Sequence, residues 1–269
     1  VSSSTRCGVT LECLVTIIAG IFGLMVGSFL NVCIVRLPAN LSVVRPRSRC
    51  PRCEKPIAWY DNIPVLSWLV LRGKCRGCGL PISPMYPGVE LLTGAIWALM
   101  AWSYPLDPEA LRGALFFTIL LGIALTDVRE YIIPDEFTYG GLAIGLLFAL
   151  VGGLPTLVPA LIGAVVGFAL LWLIGFAGQL ILKEEAMGGG DVKMMAMIGA
   201  FLGWQAALIV FFLSPFAALI VALAQVVVTG RRDIAFGPYL CVAALFVIVK
   251  WAAVWEFAGD MFVLGWLLP

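Results

Sequence analysis

The sequence of 269 residues contains no histidine, which removes the commonest general base of enzymes. It also lacks the Gly-x-Ser-x-Gly pattern that carries a nucleophilic serine. No glycine-rich nucleotide fingerprint follows a predicted strand, and neither a whole-chain repeat nor a low-complexity region is present. A hydrolytic site in this chain therefore has to use other ionisable groups.

Charged residues are scarce, at 12% of the chain, whereas 62% of the residues are hydrophobic. A soluble domain averages about 25% charged residues, so a mean hydropathy of +1.04 and long charge-free runs indicate a protein of the lipid bilayer. The charges that exist are unevenly placed. Nine of the 17 Lys and Arg residues lie between Arg36 and Gly88, against only Glu54 and Asp61 on the acidic side.

The apolar runs predict about eight transmembrane helices. The run 14–35 lacks the pattern of a cleaved signal peptide, so we expect a retained helix there. The charge-free stretch 194–230 is too long for one span and should fold back near Gly203 or near Pro215, two positions between which the sequence does not choose. The predicted helices cover 14–35, 88–104, 111–126, 137–152, 156–181, two segments within 192–228, and 238–257.

These features predict an all-α polytopic membrane protein with a small polar domain inserted after helix 1. We expect an N-terminal segment with helix 1 at 1–35, a cytoplasmic domain at 36–88 and a larger transmembrane domain at 89–269. The positive-inside rule places the arginine-rich segment 36–88 in the cytoplasm. Counting spans from there puts Asp127 and Asp191 at the same cytoplasmic edge of the membrane.

Four cysteines of the basic segment form two CxxC pairs, Cys50 with Cys53 and Cys75 with Cys78. Two such pairs can supply four thiolates to a tetrahedral ion, for which zinc is the best match. A redox pair or disulfides are the alternative, although a reducing cytoplasmic location argues against stable disulfides. Four cysteines fill the coordination sphere and leave no position open for water, which predicts a structural metal.

Two aspartates stand where apolar segments meet polar loops: Asp127 closes one segment and Asp191 opens another. An ionisable residue beside the bilayer is a candidate for function by default. Two carboxyl groups held close together cannot both ionise cheaply, so they share one proton. One can then act as general base toward water while the other acts as general acid toward a peptide carbonyl.

Each aspartate also has a simpler interpretation. Asp191 could cap the helix that follows it, and Asp127 could be a helix-end residue paired with Arg129. Their common side of the membrane favours the paired interpretation. The glycines before Asp191 lack a Cβ and would let a substrate backbone approach closely; they are Gly188, Gly189 and Gly190.

The chain resembles the type IV prepilin peptidase family of bifunctional leader peptidases and N-methyltransferases. The resemblance runs through most of the sequence and is carried by several motifs together. They are Gly27-Ser28-Phe29-Leu30-Asn31-Val32, Arg36-Leu37-Pro38, the two CxxC pairs, Trp59-Tyr60-Asp61-Asn62-Ile63-Pro64-Val65-Leu66-Ser67-Trp68, Pro81-Ile82-Ser83-Pro84, Tyr86-Pro87, Asp127 with Ile133-Pro134-Asp135, Gly188-Gly189-Gly190-Asp191-Val192-Lys193 and Phe236-Gly237-Pro238-Tyr239.

The resemblance implies that Asp127 and Asp191 are the catalytic pair of a membrane aspartic peptidase of the GxGD type. It implies cleavage of a basic leader just after a glycine, on the cytoplasmic side of the bacterial inner membrane. It also implies methylation of the exposed amino group with S-adenosylmethionine as donor. The expected partners are prepilins or pseudopilins and membrane lipid, with no nucleic acid; the oligomeric state is left open.

Other assignments follow from residue type and position. Arg129 or Lys193 is expected to meet the glutamate that pilins of this family carry near the start of their mature helix. The methyl donor is expected near the zinc-binding loop, close to Glu90 and the end of the first helix. Ser28 and Asn31 lie on one helical face and either line a polar cavity there or serve helix packing.

Two other classes of function compete with a peptidase. A non-enzymatic scaffold could use the zinc loop to recruit an assembly factor, but it leaves the paired aspartates unexplained. A transporter could use the aspartates as proton relays, but it would place carboxylates near the membrane midplane, whereas these lie at one edge.

Overall fold

A computed structural model of the chain describes residues 11–183, 187–229 and 235–248. The all-α class predicted from the sequence is confirmed. A 3-10 turn at Trp59–Asn62 precedes the second helix. The α-helices are α1 (Leu11–Arg36), α2 (Leu66–Val70), α3 (Met85–Ser103), α4 (Pro108–Glu130), α5 (Asp135–Val151), α6 (Leu154–Leu182), α7 (Gly189–Thr229) and α8 (Gly237–Ile248). The predicted helix 238–257 continues beyond α8 into residues outside the described ranges.

Several of these helices have the length and composition of membrane spans. Within the described residues, four helices are long and apolar enough to cross a bilayer. They are Leu11–Arg36, Pro108–Glu130, Leu154–Ile181 and Gly189–Val221. The chain is therefore a multi-pass helical membrane protein.

Helix α7 is interrupted at one of the two positions that the sequence left open. Gly203 has φ +82° and ψ 171°, a conformation outside the helical region that glycine adopts without steric cost. Pro215, the other candidate, lies inside helical backbone. The break in this long apolar stretch is thus at the glycine.

The chain divides into two compact units, 1–122 and 123–269. In the first unit, α1 and α3 pack antiparallel through small residues. Gly20 faces Ala98, and Gly27 faces Glu90 further along the pair. Glycine on one helix lets the backbone of its neighbour approach closely, which is the usual way that membrane helices associate.

In the second unit, α6 and α7 form an antiparallel hairpin with backbone-to-backbone contact. A Cβ on Gly163 would collide with the carbonyl oxygen of Gly199, and one on Gly167 would collide with the carbonyl oxygen of Met195. Nearer the turn, a Cβ on Gly175 would lie 3.3 Å from the Cβ of Met187. The hairpin therefore fixes the first turns of α7, where Asp191 lies.

Candidate active site and metal centre

Asp127 lies in the last turn of α4 and is only 5% exposed. The backbone N–H of Gly237 donates a hydrogen bond of 2.9 Å to Asp127 Oδ2. Gly237 opens α8, and the first amides of a helix have no partner within the helix. The positive end of the α8 dipole therefore faces the carboxyl group of Asp127.

Glycine is required at position 237 because of its neighbours. A Cβ there would lie 2.7 Å from Asp127 Oδ2 and 3.2 Å from Ile133 Cδ1. The sequence presented Gly237 only as part of a motif, so its role as a site residue was missed. The Gly-Pro pair that opens an apolar helix is the signal that could have indicated it.

Asp191 lies in the first turn of α7 and is not its N-cap, because the helix already begins at Gly189. Its Oδ1 atom is buried and accepts no hydrogen bond from the described residues. The capping interpretation therefore does not account for this side chain. Nor does an ion pair join Asp127 to Arg129 among the described residues, where Asp127 Oδ2 instead accepts the Gly237 amide.

Asp127 and Asp191 line the same open cavity, whose volume is about 390 Å³. A cavity of this size is within the range of small-molecule and peptide side-chain sites. The structure thus brings the two predicted aspartates to one solvent-accessible space. The other lining residues are Tyr131, Met187, Gly188, Ala235 and Phe236.

The three glycines before Asp191 have different surroundings. Gly188 lines the cavity, and a Cβ on it would lie 3.0 Å from Asp191 Oδ2. A Cβ on Gly190 would lie 2.9 Å from the Cβ of Ile133, so this glycine lets the α4–α5 connection pack against α7. A Cβ on Gly189 would meet nothing within 4 Å.

The two predicted cationic site residues lie outside the lining of this cavity. Lys193 Nζ forms an ion pair of 2.6 Å with Asp135 Oδ1 and lies 5.1 Å from the centre of the Tyr139 ring. The pair joins the first turn of α7 to the first turn of α5. Arg129 is exposed in the last turn of α4.

The four cysteines of the two CxxC pairs converge, as predicted. All four sulfur atoms lie within 4.8 Å of one another, and Cys50 Sγ is 3.9 Å from Cys78 Sγ. A tetrahedral zinc ion with Zn–S bonds of about 2.3 Å requires sulfurs about 3.8 Å apart, so the cluster could hold zinc. Backbone amides of Cys53 and Arg52 donate to the sulfur of Cys50 and lower the pKa of its thiol to about 6. The Leu80 amide acts in the same direction on Cys78, but desolvation and hydrogen bonds with the other cysteines raise the pKa of the Cys78 thiol to about 11, so the geometry of the sulfurs carries the metal assignment.

Both cysteine pairs are carried by turns of the same hydrogen-bonded design. In each turn the amide of the first cysteine donates to the carbonyl five residues later, and its carbonyl accepts from the amide four residues later. These partners are Lys55 and Glu54 in the first turn, and Leu80 and Gly79 in the second. This repeated geometry explains why the sulfurs of both turns can reach one point.

An ion pair links the second cysteine turn to the 3-10 turn. Arg76 donates two hydrogen bonds, of 2.8 and 2.7 Å, to the carboxylate of Asp61. These bonds hold the pKa of Asp61 below its usual value. The guanidinium also lies 5.6 Å from the centre of the Tyr60 ring, a cation–π contact.

We expect the purified chain to carry one zinc ion, and Cys53→Ser to lose it because one of four thiolates is removed. Metal analysis of the detergent-solubilised protein measures this directly. Cys13→Ser, a cysteine on α1 outside the cluster, is the matched control and should keep the metal. Equal metal content in both variants would contradict the assignment.

A helical multi-pass membrane protein whose two aspartates face one cavity has the make-up of a membrane aspartic peptidase. Sequence comparison agrees with that class. Residues 21–104 match the family model described as the bacterial peptidase A24 N-terminal domain, and residues 114–223 match the type IV leader peptidase family. The chain belongs to the type IV leader peptidase family.

Several relatives with high sequence identity carry the name "prepilin leader peptidase/N-methyltransferase". The Myxococcus xanthus protein is 43% identical over 215 residues, which cover 78% of this chain and 63% of that protein. The Aeromonas hydrophila protein is 39% identical over 250 residues, 83% of this chain and 86% of its own length. The Neisseria gonorrhoeae protein is 36% identical over 263 residues, 89% of this chain and 92% of its own. No solved structure matches the chain significantly.

Proposed function

We propose that this chain cleaves the basic leader of type IV prepilins or pseudopilins after a glycine and then N-methylates the new N-terminus. The observation that carries the peptidase assignment is the single cavity lined by Asp127 and Asp191. The relatives named above, which match most of this chain, support both activities. A non-enzymatic scaffold would not need this cavity.

The hydrogen bonds of the two carboxyl groups suggest their roles. Asp127 Oδ2 accepts the Gly237 amide, whereas the buried Asp191 Oδ1 has no partner among the described residues. An unpartnered buried carboxylate oxygen is costly, so we place the shared proton on Asp191. Asp127 then accepts a proton from water as the water attacks the scissile carbonyl, while Asp191 donates its proton to the carbonyl oxygen. When the tetrahedral intermediate collapses, a hydroxyl group returns its proton to Asp191, the C–N bond breaks, and the amine leaves with the proton held by Asp127.

The places of the aspartates in their helices favour a peptidase over a transporter. Asp127 is in the last turn of α4 and Asp191 in the first turn of α7, so both lie at helix ends. A prepilin has a basic leader followed by an apolar membrane helix, and its scissile bond lies at the membrane border. Asp127 and Asp191, at the ends of their helices, would therefore lie at the depth of the scissile bond.

Substrate contacts at the edge of the cavity stay a prediction. The substrate glutamate would meet Arg129, which is exposed, or would compete with Asp135 for Lys193. Such an exchange of carboxylates would couple substrate binding to the ion pair between α5 and α7. Unchanged cleavage after charge reversal at both Arg129 and Lys193 would contradict this part of the proposal.

We propose an inner-membrane protein of about eight spans, organised as 1–35, 36–88 and 89–269, with the cysteine cluster and the aspartates on the cytoplasmic side. The basic excess of 36–88, nine Lys and Arg against two acidic residues, supports that orientation. The zinc ion would have a structural role in 36–88, because four thiolates complete its coordination.

For the methylation step we propose a site in the first unit, near the end of α1. Asn31 Nδ2 donates 3.0 Å to the carbonyl of Tyr86, while its buried Oδ1 has no partner among the described residues. Glu90, on the facing helix α3, is 8% exposed. Glu90 Oε2 already accepts the amide of Val65 at 2.7 Å, so Asn31 Oδ1 and the other oxygen of Glu90 would accept hydrogen bonds from an amino group held there. When bound, S-adenosylmethionine would supply the methyl group.

Asp127→Asn and Asp191→Asn should each abolish leader cleavage, because an amide can neither accept nor donate the transferred proton. The measurement is incubation of the purified protein with a prepilin in detergent, followed by gel analysis of the product. Asp107→Asn is the matched control, since that aspartate lies in the connection between α3 and α4 and outside the cavity lining, and it should keep substantial cleavage. Cleavage that survives in either dyad variant would overturn the assignment.

Gly237→Ala should reduce cleavage strongly, on the order of 100-fold, by pushing the Asp127 carboxyl group away from its amide partner. Gly140→Ala is the control, because the methyl group added to this exposed glycine of α5 meets nothing within 4 Å. Initial rates of the two variants at equal protein concentration test this. Parent-like activity in Gly237→Ala would contradict the role given to α8.

Glu90→Gln should slow methylation of the mature N-terminus while leaving cleavage intact. Mass analysis of the mature product, with and without S-adenosylmethionine, reports the methyl group separately from the cleavage. Thr16→Val on the same helix pair is the control, since its hydroxyl bonds only within α1. A Glu90→Gln variant that methylates like the parent would place the donor site elsewhere.

A further inference from the structure

Helix α2 turns an apolar face outward. Leu66, Leu69 and Val70 are all more than half exposed, although they belong to the basic segment between α1 and α3. At 100° per residue these three side chains fall within one arc of about 100°. The single buried residue of this helix is Ser67.

The orientation of α2 is fixed by hydrogen bonds on its opposite side. Ser67 Oγ donates 2.9 Å to the carbonyl of Tyr60, and Trp68 Nε1 donates 3.1 Å to the carbonyl of Ile82. The Trp68 ring also packs against Gly73. These contacts therefore hold α2 in an orientation in which Leu66, Leu69 and Val70 face outward.

The residues before α2 extend this apolar surface. Trp59 is 80% exposed, and Tyr60 and Ile63 are also exposed. We use the name interfacial patch for Trp59, Tyr60, Ile63, Leu66, Leu69 and Val70. A contiguous apolar surface of this kind marks a contact with another molecule or with a membrane.

The position of the patch along α3 is set by one hydrogen bond. The N–H of Val65, which directly precedes α2, donates 2.7 Å to Glu90 Oε2. Glu90 is the sixth residue of α3, so it lies about 7.5 Å along the axis from the start of that helix. Helix α2 is thus attached beside the first two turns of α3.

The start of α3 lies at the end of a membrane span. Asn31 in the last turns of α1 bonds to Tyr86 in the first turn of α3, so the two antiparallel helices share this border. Because α1 is long and apolar enough to cross a bilayer and ends in a charged residue, we take its end at Arg36 as the level of the membrane surface. The interfacial patch is therefore held at the level of that surface.

We propose that the interfacial patch inserts into the headgroup region of the bilayer and seats the cysteine-bearing segment on the membrane. Trp and Tyr are the side chains enriched at that level, because their rings combine an apolar body with a polar atom. On α3, which carries the anchoring residue Glu90, Leu91 and Leu92 are exposed as well.

Charge supports lipid as the occupant. Arg72 and Lys74, both exposed, follow α2 directly, and segment 36–88 has nine basic residues against two acidic ones. Basic residues beside a membrane-active apolar face are attracted to anionic headgroups. A partner protein helix would account for the apolar side chains but not for this excess of cations.

The contact would also position the metal centre. Trp59 and Tyr60 belong to the same 3-10 turn as Asp61, which holds Arg76 between the cysteines of the second CxxC pair. Insertion of the aromatic pair would therefore keep the second cysteine turn close to the bilayer surface.

Photo-cross-linking of the full chain tests this inference. The variant Leu69→p-benzoylphenylalanine is reconstituted in nanodiscs of phosphatidylethanolamine and phosphatidylglycerol, irradiated, and its adducts are identified by mass. Leu80→p-benzoylphenylalanine is the matched control, because Leu80 is an exposed leucine two residues from Ile82, on the opposite side of α2. We expect a phospholipid adduct at position 69 that is several-fold more abundant than at position 80.

Equal lipid labelling at both positions would overturn the proposal. So would an adduct at position 69 with a second copy of the chain or with an added prepilin. If the first variant does not elute as a single folded species, the probe is placed at Leu66 on the same face. The proposal predicts a phospholipid adduct at position 66 as well.

Discussion

The hydrogen bond from the Gly237 amide to Asp127 is the interaction on which the site depends. It joins the start of α8 to the end of α4, two elements far apart in the sequence, and gives a buried carboxyl group a partner in apolar surroundings. Ile133 contacts Gly237 and also the turn at Gly190, so both glycines must lack a side chain. The same packing that holds Asp127 therefore holds the turn that carries Asp191.

The rest of the second unit supports this arrangement by close helix packing. Backbone contact between α6 and α7 at Gly163 and Gly199 brings the two helices together, and the first turns of α7 bury apolar side chains such as Met194, Met195 and Ile198 completely. The ion pair of Lys193 with Asp135 adds a link from α7 to α5. In the first unit, small residues likewise join α1 to α3, while the cysteine turns rely on four converging thiols.

Local patterns made the helices, the cysteine cluster and the two aspartates predictable. Apolar run length predicts a helix, and paired CxxC spacing predicts converging sulfurs, because both follow from short-range geometry. The sequence left two candidate positions for the break in α7, Gly203 and Pro215, and only tertiary packing selects Gly203. The amide of Gly237 and the partner of Lys193 could not be predicted, since each contact joins residues more than 50 positions apart. Nor does composition show that α2 turns its apolar face outward.

The central claim is that Asp127 and Asp191 act together on one reacting carbonyl. It is tested most directly by the affinity of a prepilin analogue whose scissile carbonyl is replaced by a secondary alcohol, which imitates the tetrahedral intermediate. The account predicts that the parent binds the alcohol at least about 100-fold more tightly than the matching methylene analogue. It also predicts that this preference disappears when either aspartate is replaced by asparagine. An alcohol that binds no better than the methylene analogue, or a preference that survives both replacements, would contradict it.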